Sequence, residues 1–149
     1  MRLAIRLGLY EKTDDFVEVR VSGITGPGSA TEAAWTLADF DAADSAQSDE
    51  LDALWRAMQA DFENGIIGVR DWEYIRHRYL QHPHRGRYSL CWLRDSAGKA
   101  MALCVIKRSA DAWLVMDIVA PLATVSRALT ALAQALVKGA PKEPFGTKI

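Results

Sequence analysis

The sequence predicts an α+β fold, with a central, mostly antiparallel sheet flanked by helices. Three observations predict it. Three runs rich in β-branched and aromatic residues, at 87–94, 100–108 and 112–119, are separated by short turn-forming stretches. Two segments with helical apolar spacing precede them, and a third follows. Strands joined by tight turns pair antiparallel, and helices before and after them cover the sheet.

The opening "MRLAIRLGLYEK" reads as a short helix ending near Lys12, and residues 16–21 form a strand with Phe16, Val17, Val19 and Val21. "SGITGPGSATEA", with three Gly and one Pro, breaks the pattern. Residues 22–47 are rich in Gly, Ala, Ser and Asp and read as a linker, with at most a short helix or strand around Trp35. Ser48 is a good N-cap, Asp49 and Glu50 suit the positive end of a helix, and Leu51, Leu54, Trp55, Met58 and Phe62 share one face. "ENGIIGVRD" ends that helix. A second, over 71–80, groups Trp72, Ile75 and Tyr79 and stops before His82-Pro83, because a residue preceding proline avoids helical angles.

The three strands follow, with turns at 95–98 and 109–111, as an antiparallel meander. The last helix, over 124–138, lines up Val125, Leu129, Leu132, Leu136 and Val137 and stops at Gly139. The proline-broken "APKEPFGTKI" forms a tail. The chain thus divides into 1–21, a linker 22–47, a main domain 48–139 and a tail 140–149.

Half of the 149 residues are hydrophobic and a quarter charged, which suits a folded domain with a sizeable core. No apolar run reaches the length of a membrane span, and the N-terminus lacks the long apolar core of a signal peptide, so a cytoplasmic protein is expected. Cys91 and Cys104 each lie in an apolar strand-like run and suit core packing better than metal binding or a disulfide. Charge is segregated: residues 25–64 carry nine acids against Arg56 alone, and residues 65–108 carry nine bases against three acids. The basic cluster Arg70, Arg76, Arg78, Arg85 and Arg87 suits an anionic ligand, or a solvated face paired with the acidic 39–63 segment. A pI near 6.3 and the lack of a reader motif argue against nucleic acid. His82-x-His84 lacks the helical spacing and carboxylate of zinc hydrolases, and no metal site is expected.

Several stretches resemble the GNAT acetyltransferase superfamily. "DWEYIRHRYLQHP" followed by "YSLCWLRDSAGKAMALCVIKR" is similar to members in which an aromatic, basic helix ending in HP precedes the sheet. "LVMDIVAP" is similar to the fourth strand, which commonly ends in V-x-P, here Val119 and Pro121. "AIRLGLYEKTDDFVEVRV" resembles the family's last helix and strand, with Ala4, Leu9, Tyr10, Glu11, Lys12 and Phe16 in matching roles; Gly8-Leu9 lengthens the helix, and Thr13-Asp14-Asp15 replaces the usual x-G. The chain resembles the rear portion of a tandem acetyltransferase: the end of one unit followed by the start of another.

That resemblance implies acetyl-CoA as cofactor and transfer of its acetyl group to an amine on a small molecule or peptide. It implies that the cofactor's pyrophosphate sits on backbone N–H groups where the fourth strand meets the next helix, here at Val119, Thr124, Val125 and Ser126, since unpaired donors and a dipole's positive end attract an anion. The family's glycine-marked loop is missing: no glycine stands between 119 and 138, and Pro121 offers no N–H. Tyr10 matches the general acid that protonates the leaving thiolate, or is an aromatic packing at a helix end. Asp117 serves as a water-assisted base, or faces solvent or a helix dipole. The resemblance equally fits a non-catalytic domain that packs on a partner acetyltransferase unit or a second copy. With no fifth strand after residue 138, the sheet is left with an open edge, completed by residues 16–21 folding back or by another chain, as in a homodimer.

Overall fold

Residues 35–62, 65–110 and 112–138 are described by the structure, a computed structural model. Four strands pair in the order β1-β2-β3-β4, every neighbour antiparallel: β1 (Thr36–Asp39), β2 (Tyr88–Arg94), β3 (Ala100–Arg108) and β4 (Trp113–Val119). The α+β class and the meander are therefore as the sequence predicts. The β2–β3 turn shows why: Asp95 Oδ1 accepts from the amides of Ala97 and Lys99, and Gly98 takes a φ of 81°, a conformation open to glycine.

β1 lies inside the stretch read as a linker. Its four residues carry too little alternation to announce a strand, and its position comes from pairing, with Thr36 opposite Arg94 and Asp39 opposite Cys91. Its side chains then split between the faces: Ala38 and the following Phe40 join the core on one side, Trp35 and Leu37 the core on the other.

The first helix, α1 (Ser45–Ala60), starts three residues earlier than Ser48. Asp44 is the N-cap, accepting from the Ala46 amide at 3.0 Å, while the Ser48 hydroxyl donates back to the Ser45 carbonyl. The earlier start brings Gln47 into the first turn, where its Oε1 accepts from the buried Trp92 indole at 2.7 Å and from the Asp41 amide at 2.9 Å. A buried indole N–H without such a partner would be costly. Helix α2 (Trp72–Ile75) is capped by Asp71 Oδ1 on the Tyr74 amide and tied to α1 by Asp52 Oδ1 on the Trp72 amide. It continues without a break into a π-helical turn (Arg76–Leu80), and a 3₁₀ turn (Arg85–Arg87) leads into β2. The long helix α3 (Leu122–Lys138) leaves β4 through Ala120 and Pro121.

Helices cover both faces of the sheet. On one, α1, α2 and the π turn bury Leu51, Trp55, Met58, Ile75 and Tyr79 against Leu90, Trp92, Leu103, Val105 and Val119. On the other, α3 buries Ala128, Leu132 and Leu136 against Cys91, Leu93, Ala102, Cys104 and Ile106. Leu129 and Val137, expected on the buried side of that helix, are exposed; the inward stripe is Val125, Ala128, Leu132 and Leu136. Small Ala128 lets the helix approach the sheet, which rotates its bulkier neighbours outward. Cys91 and Cys104 face each other across β2 and β3, both free and buried; burial pushes the Cys104 thiol up to about 12 and the Cys91 thiol higher. No helix among the described residues is long and apolar enough to cross a membrane.

The two layers contribute separately. Ile75→Ala and Leu132→Ala, one from each fully buried cluster, should each lower the unfolding free energy by about 2–5 kcal/mol in urea titrations. A loss below about 1 kcal/mol at either position would show that its layer is not packed as described.

Candidate functional site

Asp117 is the most heavily engaged polar side chain of the sheet. Its side chain is 6% exposed, and it gathers donors from distant parts of the chain. Oδ1 accepts from Arg70 Nε at 2.7 Å and from the following Ile118 amide at 3.0 Å. Oδ2 accepts from the Tyr74 and Tyr79 hydroxyls, each at 3.1 Å. A carboxylate has about four lone-pair sites, and four donors fill them. Arg70 in turn donates from Nη1 to the Gly68 carbonyl, so the segment between α1 and α2 is stapled to the same point.

Two departures from regular geometry build this cluster. The β3–β4 register places Val105 opposite Asp117 but Ile106 opposite Val115, so Met116 is an extra residue on β4. Without that bulge, strand alternation would turn Asp117 toward the apolar cluster under α3, beside Cys104. With it, the carboxylate shares a face with Val105 and points toward α2. The second departure is the π-helical turn, in which the Gln81 amide donates to the Arg76 carbonyl five residues back at 2.9 Å. Residues five apart on an ordinary α-helix diverge by about 140°; widening the turn brings Tyr79 round beside Tyr74, so both phenols reach one carboxylate. Their rings meet edge to face at 6.3 Å, and Tyr79 continues edge to face onto Tyr88 at 5.2 Å. Burial, then the Asp117 charge, hold both phenols above the usual tyrosine range, Tyr79 most strongly, which keeps them as donors.

The junction between β4 and α3 holds the other candidate residues. Val119 is fully buried and pairs with Leu103. Val125 packs its side chain into the α3 cluster, and Ser126 is exposed. The Thr124 amide and hydroxyl both donate to the Pro121 carbonyl, at 2.9 and 2.8 Å. Pro121 has no side-chain oxygen to cap the helix that follows it, and the cap comes from elsewhere: Asp61, just past the end of α1, accepts from the Leu122 amide at 2.7 Å. A carboxylate of the protein itself thus takes the first amide of this helix end, where negative charge is favoured.

The structure brings Val119, Thr124, Val125 and Ser126 together at one junction and holds Asp117 on the strand leading into it; Tyr10 lies outside the described residues. Sequence reasoning named Arg70 only within the basic cluster and not as the partner of Asp117, and it missed Asp61, Tyr74 and Tyr79 as site residues. The D-x-x-Y spacing of Asp71 and Tyr74 signals a helix cap, but nothing in the spacing of Tyr74 and Tyr79 signals a shared partner, because a π turn leaves no simple pattern.

Among the described residues, the basic cluster forms no ion pair with the acidic 39–63 segment. Arg70 pairs with Asp117 and Arg76 with Glu73, while Arg78, Arg85 and Arg87 are exposed. The basic residue that does reach the acidic segment is Arg94, bidentate on Glu50 at 2.9 and 2.6 Å. His84 donates its amide to His82 Nδ1 at 3.0 Å, so that ring nitrogen serves the loop. Among the described residues no cluster of three His, Cys, Asp or Glu is arranged to hold a metal. Comparison with protein-family models, with curated proteins and with solved structures returned no match.

Asp117→Asn, which keeps the shape and removes the charge facing Arg70, should cost about 2–3 kcal/mol in chemical unfolding. The phenols set a sign at alkaline pH. Above about pH 10 an unfolded tyrosine releases its proton while the folded Tyr74 and Tyr79 keep theirs, so the folded state binds more protons and stability falls as pH rises. Cys91 and Cys104 add to the same fall from about pH 8.5 upward. Tyr79→Phe should make the decline above pH 10 measurably shallower than in the parent; an unchanged slope would contradict the burial and the Asp117 charge that hold Tyr79 protonated.

Proposed function

We propose that this chain is a non-catalytic domain of GNAT-like architecture that acts by packing on a partner acetyltransferase unit or on a second copy. The observation that carries the reading is the Asp61 carboxylate on the Leu122 amide. Acetyl-CoA bound in the manner the resemblance implies would need its pyrophosphate on the amides at this helix end. There it would have to displace a carboxylate and then lie beside it, like charge against like. Pro121 and the lack of glycine from 119 to 138 deny it the close backbone approach that would offset that repulsion.

The state of Asp117 supports the same conclusion. A general base needs a free lone pair within reach of the proton it takes, and those of Asp117 are occupied. Its four bonds make the carboxylate a structural tie, joining the β4 bulge to α2 and to the segment before it.

One feature favours a second reading, an acetyltransferase that transfers the acetyl group from acetyl-CoA to an amine. β4 carries a bulge and runs directly into a helix, a strand-to-helix junction of the kind that lodges anions. Asp61 is exposed at that junction, so a sufficiently tight ligand would have access to it.

Thermal unfolding with acetyl-CoA separates the two. A ligand that binds the folded state raises the melting temperature by mass action. The packing reading predicts no shift up to millimolar acetyl-CoA, together with a loss of about 0.5–2 kcal/mol in Asp61→Ala, the usual cost of removing a helix cap. A saturable rise with acetyl-CoA in the parent protein would replace it with the transferase reading.

A further inference from the structure

Besides Ile66 and Val69 in the segment between the first two helices, the exposed large apolar residues of the described chain lie on β4 and α3. Among the described residues β4 is an edge strand, and Leu114, Val115 and Met116 on it are 41%, 45% and 41% exposed. The register puts Leu114 on the α2 side, opposite Lys107, and Val115 on the α3 side, opposite Ile106. Both faces of the strand are therefore open over its first half. On α3, Leu122, Leu129 and Val137 are also exposed. Arg127 stacks over Trp35 at the β1 side of the sheet, with its guanidinium carbon 4.5 Å from the ring centre. At about 100° per residue, Leu129 lies about 160° round α3 from Arg127, on the flank turned toward β4. A strand edge that nothing among the described residues pairs with, carrying apolar side chains on both faces, is a template for one more strand.

We propose that residues 16–21 of the same chain, Phe16-Val17-Glu18-Val19-Arg20-Val21, add to β4 as a fifth strand. Their alternation fits the two faces. Val17, Val19 and Val21 form an all-valine side for Val115 and Leu129, and Phe16, Glu18 and Arg20 form the other, with Phe16 for Leu114 and two charges for solvent. The connection is long enough. Trp35 precedes β1 at the far edge of the sheet, and β1 and β4 are separated by about 14 Å at about 4.8 Å per strand. Residues 22–34 can extend to about 43 Å. The register also puts Thr36 and Val119 toward the same end of the sheet, Thr36 through Arg94 and Ala100, and Val119 through Leu103. Residues 22–34 are Gly-, Ala- and Ser-rich and carry a single charge, Glu32, as suits a segment that crosses a sheet end.

This pairing does not depend on whether the domain binds acetyl-CoA, and its test uses no cofactor. Hydrogen exchange of the full chain is followed at the amides of Leu114, Val115 and Met116. The double variant Val17→Asp/Val19→Asp places charge on the all-valine side without touching the domain itself, and should speed exchange at those amides by at least about tenfold. Glu18→Lys, on the other side, should leave them within about twofold. Exchange of these amides that is equally fast in the parent and the double variant would overturn the proposal. So would protection that disappears on dilution along with a dimer seen by light scattering, since the strand would then come from a second copy.

Discussion

A carboxylate inside a small domain must be surrounded by donors, and that requirement at Asp117 organises one whole side of this molecule. An unpartnered buried charge would cost several kcal/mol, a large fraction of what a domain of this size has. The chain meets the need with two irregularities that are otherwise unfavourable. The β4 bulge turns Asp117 out of the apolar layer beneath α3, and the π turn brings a second phenol to it. Arg70 supplies the compensating charge and, through Gly68, fixes the segment that joins the first two helices. Each irregularity accounts for the other: neither the extra strand residue nor the widened turn would have a purpose without the four-bond cluster between them.

Asp61 does for a helix end what the Arg70 group does for Asp117. The first amides of α3 have no partners within the helix, and the residue before it is a proline with nothing to offer. The end of α1 supplies the missing acceptor, so one bond both caps α3 and joins the two layers across the end of the sheet. Both carboxylates, Asp61 and Asp117, are engaged in holding the fold; in the reading proposed above, these are the positions where the GNAT resemblance implies an anion cradle and a base. That is the physical basis for reading the domain as a packing module. Leu122 and Val137, exposed on α3, give such a module apolar surface to use.

Much of the fold could be read from the sequence, and its physical reasons are plain. The three long strands announce themselves because both faces of the sheet are buried, which makes their apolar content high, and because Asp95 and Gly98 mark a turn. The helix over 71–80 is marked by Asp71 before it and His82-Pro83 after it. β1 was legible only as a short helix or strand around Trp35, since a four-residue edge strand held by backbone pairing needs no pattern of its own. The inward face of α3 was misjudged because Leu129 and Val137 match the apolar period as well as Ala128 does, and only packing decides between them. At the site, Asp117 stood out as a charge within an apolar strand. Its partners did not, because a bulge and a π turn both break the periodicities on which such reading rests. Asp61 was equally hidden: an acidic residue after a helix gives no sign that it caps another helix, joined through a contact spanning 61 positions.

The most direct measurement is the backbone amide resonance of Leu122 in the folded protein, recorded by heteronuclear NMR. Asp61→Asn should shift this resonance strongly, as expected when a charged acceptor leaves an amide hydrogen bond, and millimolar acetyl-CoA should leave it in place. A Leu122 resonance that ignores the Asp61 substitution and moves with acetyl-CoA would show the helix end to be an open anion site, and would contradict the packing role.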